Sequence, residues 1–380
     1  MPSLSEPITV GAVLCPNRVF MAPLTRGRAT RDHVPTALMA TYYAQRASAG
    51  LIISEATGIS RQGLGWPHAP GIWTVEQMEA WKPVVEAVHE AGGRIFCQLW
   101  HMGRVVHPSF LGGEAPVSAS ATTAPYKAHT YEGRQPYVEA RPLRGDEIAG
   151  LLSDYSRAAG LAVAAGFDGA QLHAANGYLI DQFLRSSTNF RDDDYGGSIG
   201  NRIRLLREAA QAIADTIGPE RTAVRLSPNS ETQGCEDSDP EALFTAAAAA
   251  LQEIGIAFLE LREPGPDGTF GKSEVPPVSP AIRKAFAGPL VLNSDFVRDN
   301  AEAAVAEERC DAISFGRTFL ANPDLPYRLA NRLELNPDDP ATWYSQGEDG
   351  YTDYPLAEAN SSSLPPEAMG RGTTRMVVVG

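Results

Sequence analysis

Eight short apolar runs separated by segments of helical spacing constrain this 380-residue chain more than any other feature. The runs begin at Arg18, Leu51, Arg94, Gly169, Thr222, Phe258, Leu290 and Ala312 and read as buried strands. Between them, residues 36–49, 74–91, 145–165, 199–217, 240–254, 280–286 and 299–308 carry helical patterns. Thr74 is a good N-cap for the second of these, and Gly92-Gly93 stops it. Eight βα units in one chain predict a (β/α)8 TIM barrel rather than an open doubly wound sheet. No Gly-x-Gly-x-x-Gly follows the first strand, which weighs against a dinucleotide-binding half. Residues 8–10 and 12–14 flank Gly11 and predict a short β-hairpin ahead of the barrel.

One stretch breaks the rhythm. Residues 107–142, after the third strand, are rich in Pro, Gly, Ser and Thr, hold three tyrosines and have few periodic apolar positions. A loop of this length inside a compact domain is a functional excursion or lid. The expected organisation is therefore a single barrel over residues 1–356, with 107–142 as its lid and 357–380 as a flexible tail.

Composition narrows the function. The net charge of −14 disfavours nucleic acid and anionic membrane as partners. An anionic ligand must then be held by local arginines and backbone amides. The longest apolar run falls short of a membrane span. Residues 1–7 lack the basic start and apolar core of a secretory leader, so the expected location is cytoplasmic. Cys15, Cys97, Cys235 and Cys310 lie far apart without metal-like spacing and read as free thiols.

In a barrel of this type chemistry collects where strands end. The fourth run ends in His173-Ala174-Ala175-Asn176-Gly177-Tyr178-Leu179, which places an imidazole, a carboxamide and a phenol within six residues. The other strand ends deliver Pro23 and Thr25; Glu55 and Ala56; Gln98, Trp100 and His101; Arg225 and Ser227; Arg262; Asn293, Ser294 and Asp295; and Gly316 and Arg317. None of the four lysines ends a strand, which disfavours Schiff-base chemistry. No His-x-His or carboxylate cluster suits a catalytic metal, and Asp192-Asp193-Asp194 reads as a solvated turn. His101 and Arg104 read as anchors for the long loop.

The rim of strands seven and eight is a phosphate pocket in many barrels, and Gly316-Arg317 suits one through close backbone approach and bidentate charge. Gln98 and Thr25 can hydrogen-bond the edge of a planar heterocycle, and Arg225 can neutralise its electron-rich end. Together these point to flavin mononucleotide. A cofactor-free barrel isomerase or lyase acting on a phosphorylated substrate would share the Arg317 pocket but leave Gln98 and Thr25 without a purpose. A non-catalytic flavin-binding protein is a third reading, and it would be indifferent to loss of the Tyr178 hydroxyl.

Nine stretches in order resemble the old yellow enzyme family of FMN-dependent ene-reductases. They are residues 17–26, 54–57, 98–104, 173–179, 194–198, 224–228, 315–317, 321–325 and 350–355, covering nearly all of residues 4–356. The resemblance implies FMN as bound cofactor, with NADPH or NADH as reductant. It implies hydride transfer from flavin N5 to the β-carbon of an α,β-unsaturated carbonyl or nitro compound. Thr25, Pro23, Ala56, Gln98 and Arg225 would then contact the isoalloxazine, and Gly316 and Arg317 its phosphate. Ser294 would join the phosphate set, but this chain has Asn293-Ser294-Asp295-Phe296 where the family often has a Gly-rich turn, and the Asp295 carboxylate would then have to point away. His173 and Asn176 would hold the substrate oxygen, and Tyr178 would supply the proton. Trp66, Trp100 and Tyr351 would wall the substrate pocket. A monomer or homodimer is expected.

Overall fold

The computed structural model describes residues 1–357. All of the expected tail except Ala357 lies outside the described residues.

Eight strands close into a parallel barrel: Val19–Met21 (β1), Ile52–Ile53 (β2), Ile95–Trp100 (β3), Gly169–His173 (β4), Thr222–Leu226 (β5), Phe258–Arg262 (β6), Leu290–Asn293 (β7) and Ala312–Phe315 (β8). Each pairs with the next in sequence, and β8 returns to β1 through Ser314↔Phe20. Every residue of β3 to β8 is buried, because one face looks into the barrel and the other lies under helices. Removing a side chain such as Phe96 or Phe258 from water contributes about 2–3 kcal/mol each. The two rings meet at 5.6 Å inside the barrel. Below them, the hairpin of Ile8–Val10 and Val13–Cys15 closes the barrel floor with Val10, Val13 and Cys15.

The helices follow the predicted spacing. Thr74 accepts from Gln77 N at 3.1 Å, and the Gln77 side chain accepts from Thr74 N at 3.3 Å, fixing the start of Val75–Glu90. Pro240–Ile254 begins behind an Asp239 cap and ends at Gly255, which is left-handed. The helix expected over 199–217 divides at Ile203 into Ile199–Arg202 and Arg204–Ile217. No described helix is long and apolar enough to cross a membrane.

The excursion after β3 has structure of its own. Lys127–Thr130 and Gly133–Pro136 form an antiparallel hairpin, and Val117–Ser118 pairs in parallel with Arg141–Pro142. The hairpin reaches the barrel mouth, where His129 lies 4.6 Å from the ring of Trp66. A second cover comes from the C-terminal segment. Arg26 donates to Trp343 O and Gly350 O, and Arg28 donates to the carbonyls of Thr342, Trp343 and Asp349, drawing that segment across the rim.

Candidate active site at the barrel mouth

Strand register brings the polar residues together. His173 pairs with Arg225, Arg225 with Glu260, Arg262 with Asn293 and Asn293 with Ser314. Neighbours in register point to the same side, so these residues form a continuous polar layer at the C-terminal end of the barrel. Above it opens one cavity lined by all but one of the predicted site residues.

After β4 the backbone turns sharply. Asn176 and Gly177 are both left-handed, at φ 59° and 76°. A Cβ on Gly177 would lie 2.4 Å from Thr232 O, so only glycine fits there. The turn is fixed by Ser227 Oγ accepting from Asn176 N at 2.8 Å and Asp181 accepting from Gly177 N at 2.9 Å. Its effect is to fold Tyr178 back over His173, with ring centroids 5.0 Å apart. Trp100 packs edge-on to Tyr178, also at 5.0 Å.

Among the described residues, neither ring nitrogen of His173 has a protein partner, although the side chain is buried. Burial, reinforced by the charges of Arg225 and Arg262, holds its pKa well below the usual histidine value, so the ring is neutral. Burial also raises the Tyr178 phenol, against the pull of Arg262 and Arg225, and keeps it protonated. Asn176 is oriented by Arg262, which donates to its Oδ1 at 3.3 Å. A guanidinium can only donate, so the amide NH2 is the end left free. Three neutral groups, His173, Tyr178 and the Asn176 NH2, therefore converge in a field set by two buried guanidiniums. Burial lowers the Arg262 pKa only to about 10, so it stays charged at neutral pH.

The same cavity is lined by Pro23, Thr25, Ala56, Gln98 and Arg225. Thr25 makes no side-chain hydrogen bond among the described residues. Gln98 donates to Gln171 Oε1 at 2.8 Å, which commits its NH2 and leaves its carbonyl oxygen unpartnered. Arg225 donates to Asn293 Oδ1 at 2.8 Å, but its Nε is buried without a partner. A Cβ added to Gly316 would meet only Leu24 at 3.5 Å, so no protein contact requires glycine there. Orphaned donors and acceptors beside an open backbone cradle are what a bound polar heterocycle with a phosphate arm would satisfy. The residues fit flavin mononucleotide.

Two expectations need correction. Tyr351 does not line the cavity: it is fully buried, stacked on Tyr42 at 4.0 Å and 3°, with Arg28 4.5 Å above its ring. Arg28 must satisfy the carbonyls that hold the C-terminal segment, and Tyr351 packs beneath that cation instead of facing substrate. Nor does Asp295 turn away. It sits in the cavity wall 3.6 Å from Arg317, and Thr269 bonds both side chains. The turn is left-handed at both Ser294 and Asp295, with φ of 130° and 45°, and this aims the carboxylate inward.

The strand-end inventory held Arg262 and Asn293, but nothing local in the sequence assigned them a task. Phe270, Trp343 and Tyr344 also line the cavity and carried no signal beyond being aromatic. Trp343 lies 5.9 Å from Phe270, and Tyr344 lies 5.1 Å from Trp66, so the rim is an aromatic collar. His101 accepts from Gly103 N at 3.1 Å, and Arg104 donates to Gln233 O and Gly234 O. Both hold loops.

Comparison with known proteins gives the same picture. Residues 3–336 match the family described as NADH:flavin oxidoreductase / NADH oxidase. The chain is 40% identical to 12-oxophytodienoate reductase 2 of Arabidopsis thaliana, covering 94% of this chain and 96% of that one. It superimposes on the old yellow enzyme homologue from Zymomonas mobilis with a TM-score of 0.93 at 60% identity, covering 94% of this chain and 100% of that one. Morphinone reductase in complex with tetrahydroNAD gives a TM-score of 0.89 at 43% identity, covering 95% and 99%.

Proposed function

Since the chain belongs to the NADH:flavin oxidoreductase / NADH oxidase family, that of the old yellow enzymes, we propose that His173, Asn176 and Tyr178 carry its reaction. The protein is an FMN-dependent NAD(P)H oxidoreductase that reduces the C=C bond of α,β-unsaturated carbonyl compounds. FMN, when bound, would supply the redox chemistry by which the hydride of NAD(P)H reaches the alkene.

In this reading the cofactor would be held by Pro23, Thr25, Ala56, Gln98 and Arg225. The free Gln98 oxygen and the Arg225 Nη1, which makes no hydrogen bond, would meet its pyrimidine end, and Thr25 and the faces of Pro23 and Ala56 would meet the ring. Arg317 and the Gly316 backbone take its phosphate. His173 and the Asn176 NH2 donate to the substrate oxygen, where negative charge grows as the alkene is reduced. Both are neutral and fixed before substrate arrives, so little reorganisation is needed. Tyr178 donates its phenolic proton to the α-carbon. Nitro-alkenes fit the same donor pair. The proposal includes residues 1–356 as one catalytic domain, a monomeric or homodimeric state and a cytoplasmic location.

The observation that carries this reading is the convergence of unpartnered groups on one cavity: His173, the Gln98 oxygen and the Thr25 hydroxyl. Purified protein supplied with FMN is expected to be yellow, to bleach anaerobically with NADPH or NADH, and to regain its colour with a small enone. Protein that stays colourless after incubation with FMN would refute it.

A further inference from the structure

Below the cavity, the barrel interior holds a carboxylate that the proposed reaction does not touch. Glu260 is fully buried, as is Gln171 beside it, and Gln98 and Ser314 are nearly so. The Glu260 Oε1 accepts from Ser314 Oγ at 2.6 Å, and its Oε2 accepts from Gln171 Nε2 at 2.7 Å. Gln171 Oε1 in turn accepts from Gln98 Nε2 at 2.8 Å. Arg225 Nη1 lies 3.8 Å from Oε1 of the same carboxylate.

The direction of this chain is imposed from one end. An amide can present either its oxygen or its NH2, and a hydroxyl can give or take a proton, but an ionised carboxylate only accepts. With Glu260 at the root, Gln171 must turn its NH2 downward and its oxygen toward Gln98. Gln98 must then spend its NH2 on Gln171 and keep its oxygen for the cavity. We propose that Glu260 is a positioning residue for the cofactor: through Gln171 it fixes which end of the Gln98 amide faces the flavin pyrimidine edge. This rests on the reading of the cavity as a flavin site. A second effect follows from charge. The carboxylate offsets part of the Arg225 field, so its loss favours the more negative, reduced form of the cofactor.

An exchange of side chains separates orientation from simple burial of charge. In E260Q no member of the chain is restricted to accepting, and the orientation of Gln98 is no longer imposed. In the double exchange Q171E/E260Q, the new carboxylate at 171 accepts from Gln98 directly and from the amide at 260, whose oxygen still receives Ser314. Gln98 is returned to its native orientation. A carboxylate that served only to pair with Arg225 would not be replaced by one at 171.

The experiment measures FMN release from the holoprotein on dilution, by flavin fluorescence, and the midpoint potential of bound FMN by dye equilibration. E260Q is expected to bind FMN at least tenfold more weakly, with a more positive potential. A tenfold preference for the reduced form corresponds to about 30 mV. The double exchange is expected to bind within threefold of the native protein. Native-like binding by E260Q, or a double exchange no tighter than E260Q, would overturn the relay while leaving the flavin site intact. Failure of the native protein to hold FMN would overturn the flavin reading and the relay with it. Should E260Q not fold, the double exchange decides alone: binding within threefold of native supports the relay, and a tenfold loss overturns it.

Discussion

Arg262 Nη1 stands 3.3 Å from Asn176 Oδ1, and this contact leaves the NH2 end of the Asn176 amide free. Hydrogen bonds to charged groups contribute about 1.5–3 kcal/mol, which corresponds to roughly 10- to 100-fold in rate. Arg262→Leu is therefore expected to slow enone turnover by about that factor while leaving flavin reduction by NAD(P)H within about threefold of native. Stopped-flow measurement of the two half-reactions checks this, and equal slowing of both would contradict it.

Tyr178→Phe is expected to hold FMN and accept electrons at the native rate. Its reoxidation by an enone should fall by about 10²–10⁴-fold, the usual worth of a positioned general acid. Burial raises the native phenol above its ordinary value, so the native rate should stay flat up to about pH 10. A decline starting at about pH 9 would show a phenol that the fold does not protect.

Two buried histidines link stability to pH. Burial drives His101 down to about 3, and His173 also lies well below its usual value through burial and the charges of Arg225 and Arg262. Both are neutral in the folded protein, whereas in the unfolded chain they take up protons below about pH 6.5. The unfolded state then binds more protons, so stability is full above that pH and is lost as pH falls. Each histidine should cost about 2 kcal/mol between pH 7 and pH 5. Urea denaturation at the two pH values measures the loss, and His101→Gln should reduce it by about 2 kcal/mol.

In the proposed site, Asp295 would compete with the cofactor phosphate for Arg317. The two side chains are about a third exposed, so their ion pair contributes little and a phosphate dianion should displace it. Asp295→Asn is expected to tighten FMN binding by about three- to tenfold, the equivalent of roughly 1 kcal/mol. Weaker binding in this variant would mean that Asp295 supports the site through Thr269.

The barrel was legible because its signal is repeated and local. A strand buried on both faces must be apolar along its length, and a helix must show its stripe, so eight such pairs can be counted without knowing any contact. The same logic anticipated that His173, Asn176, Tyr178, Gln98, Arg225 and Arg317 would line one cavity, because in a barrel every strand end faces one mouth. The hairpin within 107–142 was less legible, since its residues pack against loops and not against a periodic core.

What the sequence by itself determined was the list of polar groups delivered to that mouth and the order of the strands delivering them. Tertiary structure decided which groups are free and which are already spent. Arg262 acquires its task only when β6 lies next to the neighbour of β4, and the orientation of Gln98 depends on Gln171 and Glu260, 73 and 162 residues away in sequence. Tyr351 is drawn beneath Arg28 by a segment whose path no local pattern reveals. Hydrogen-bond direction and burial are properties of partners, and partners here come from different strands.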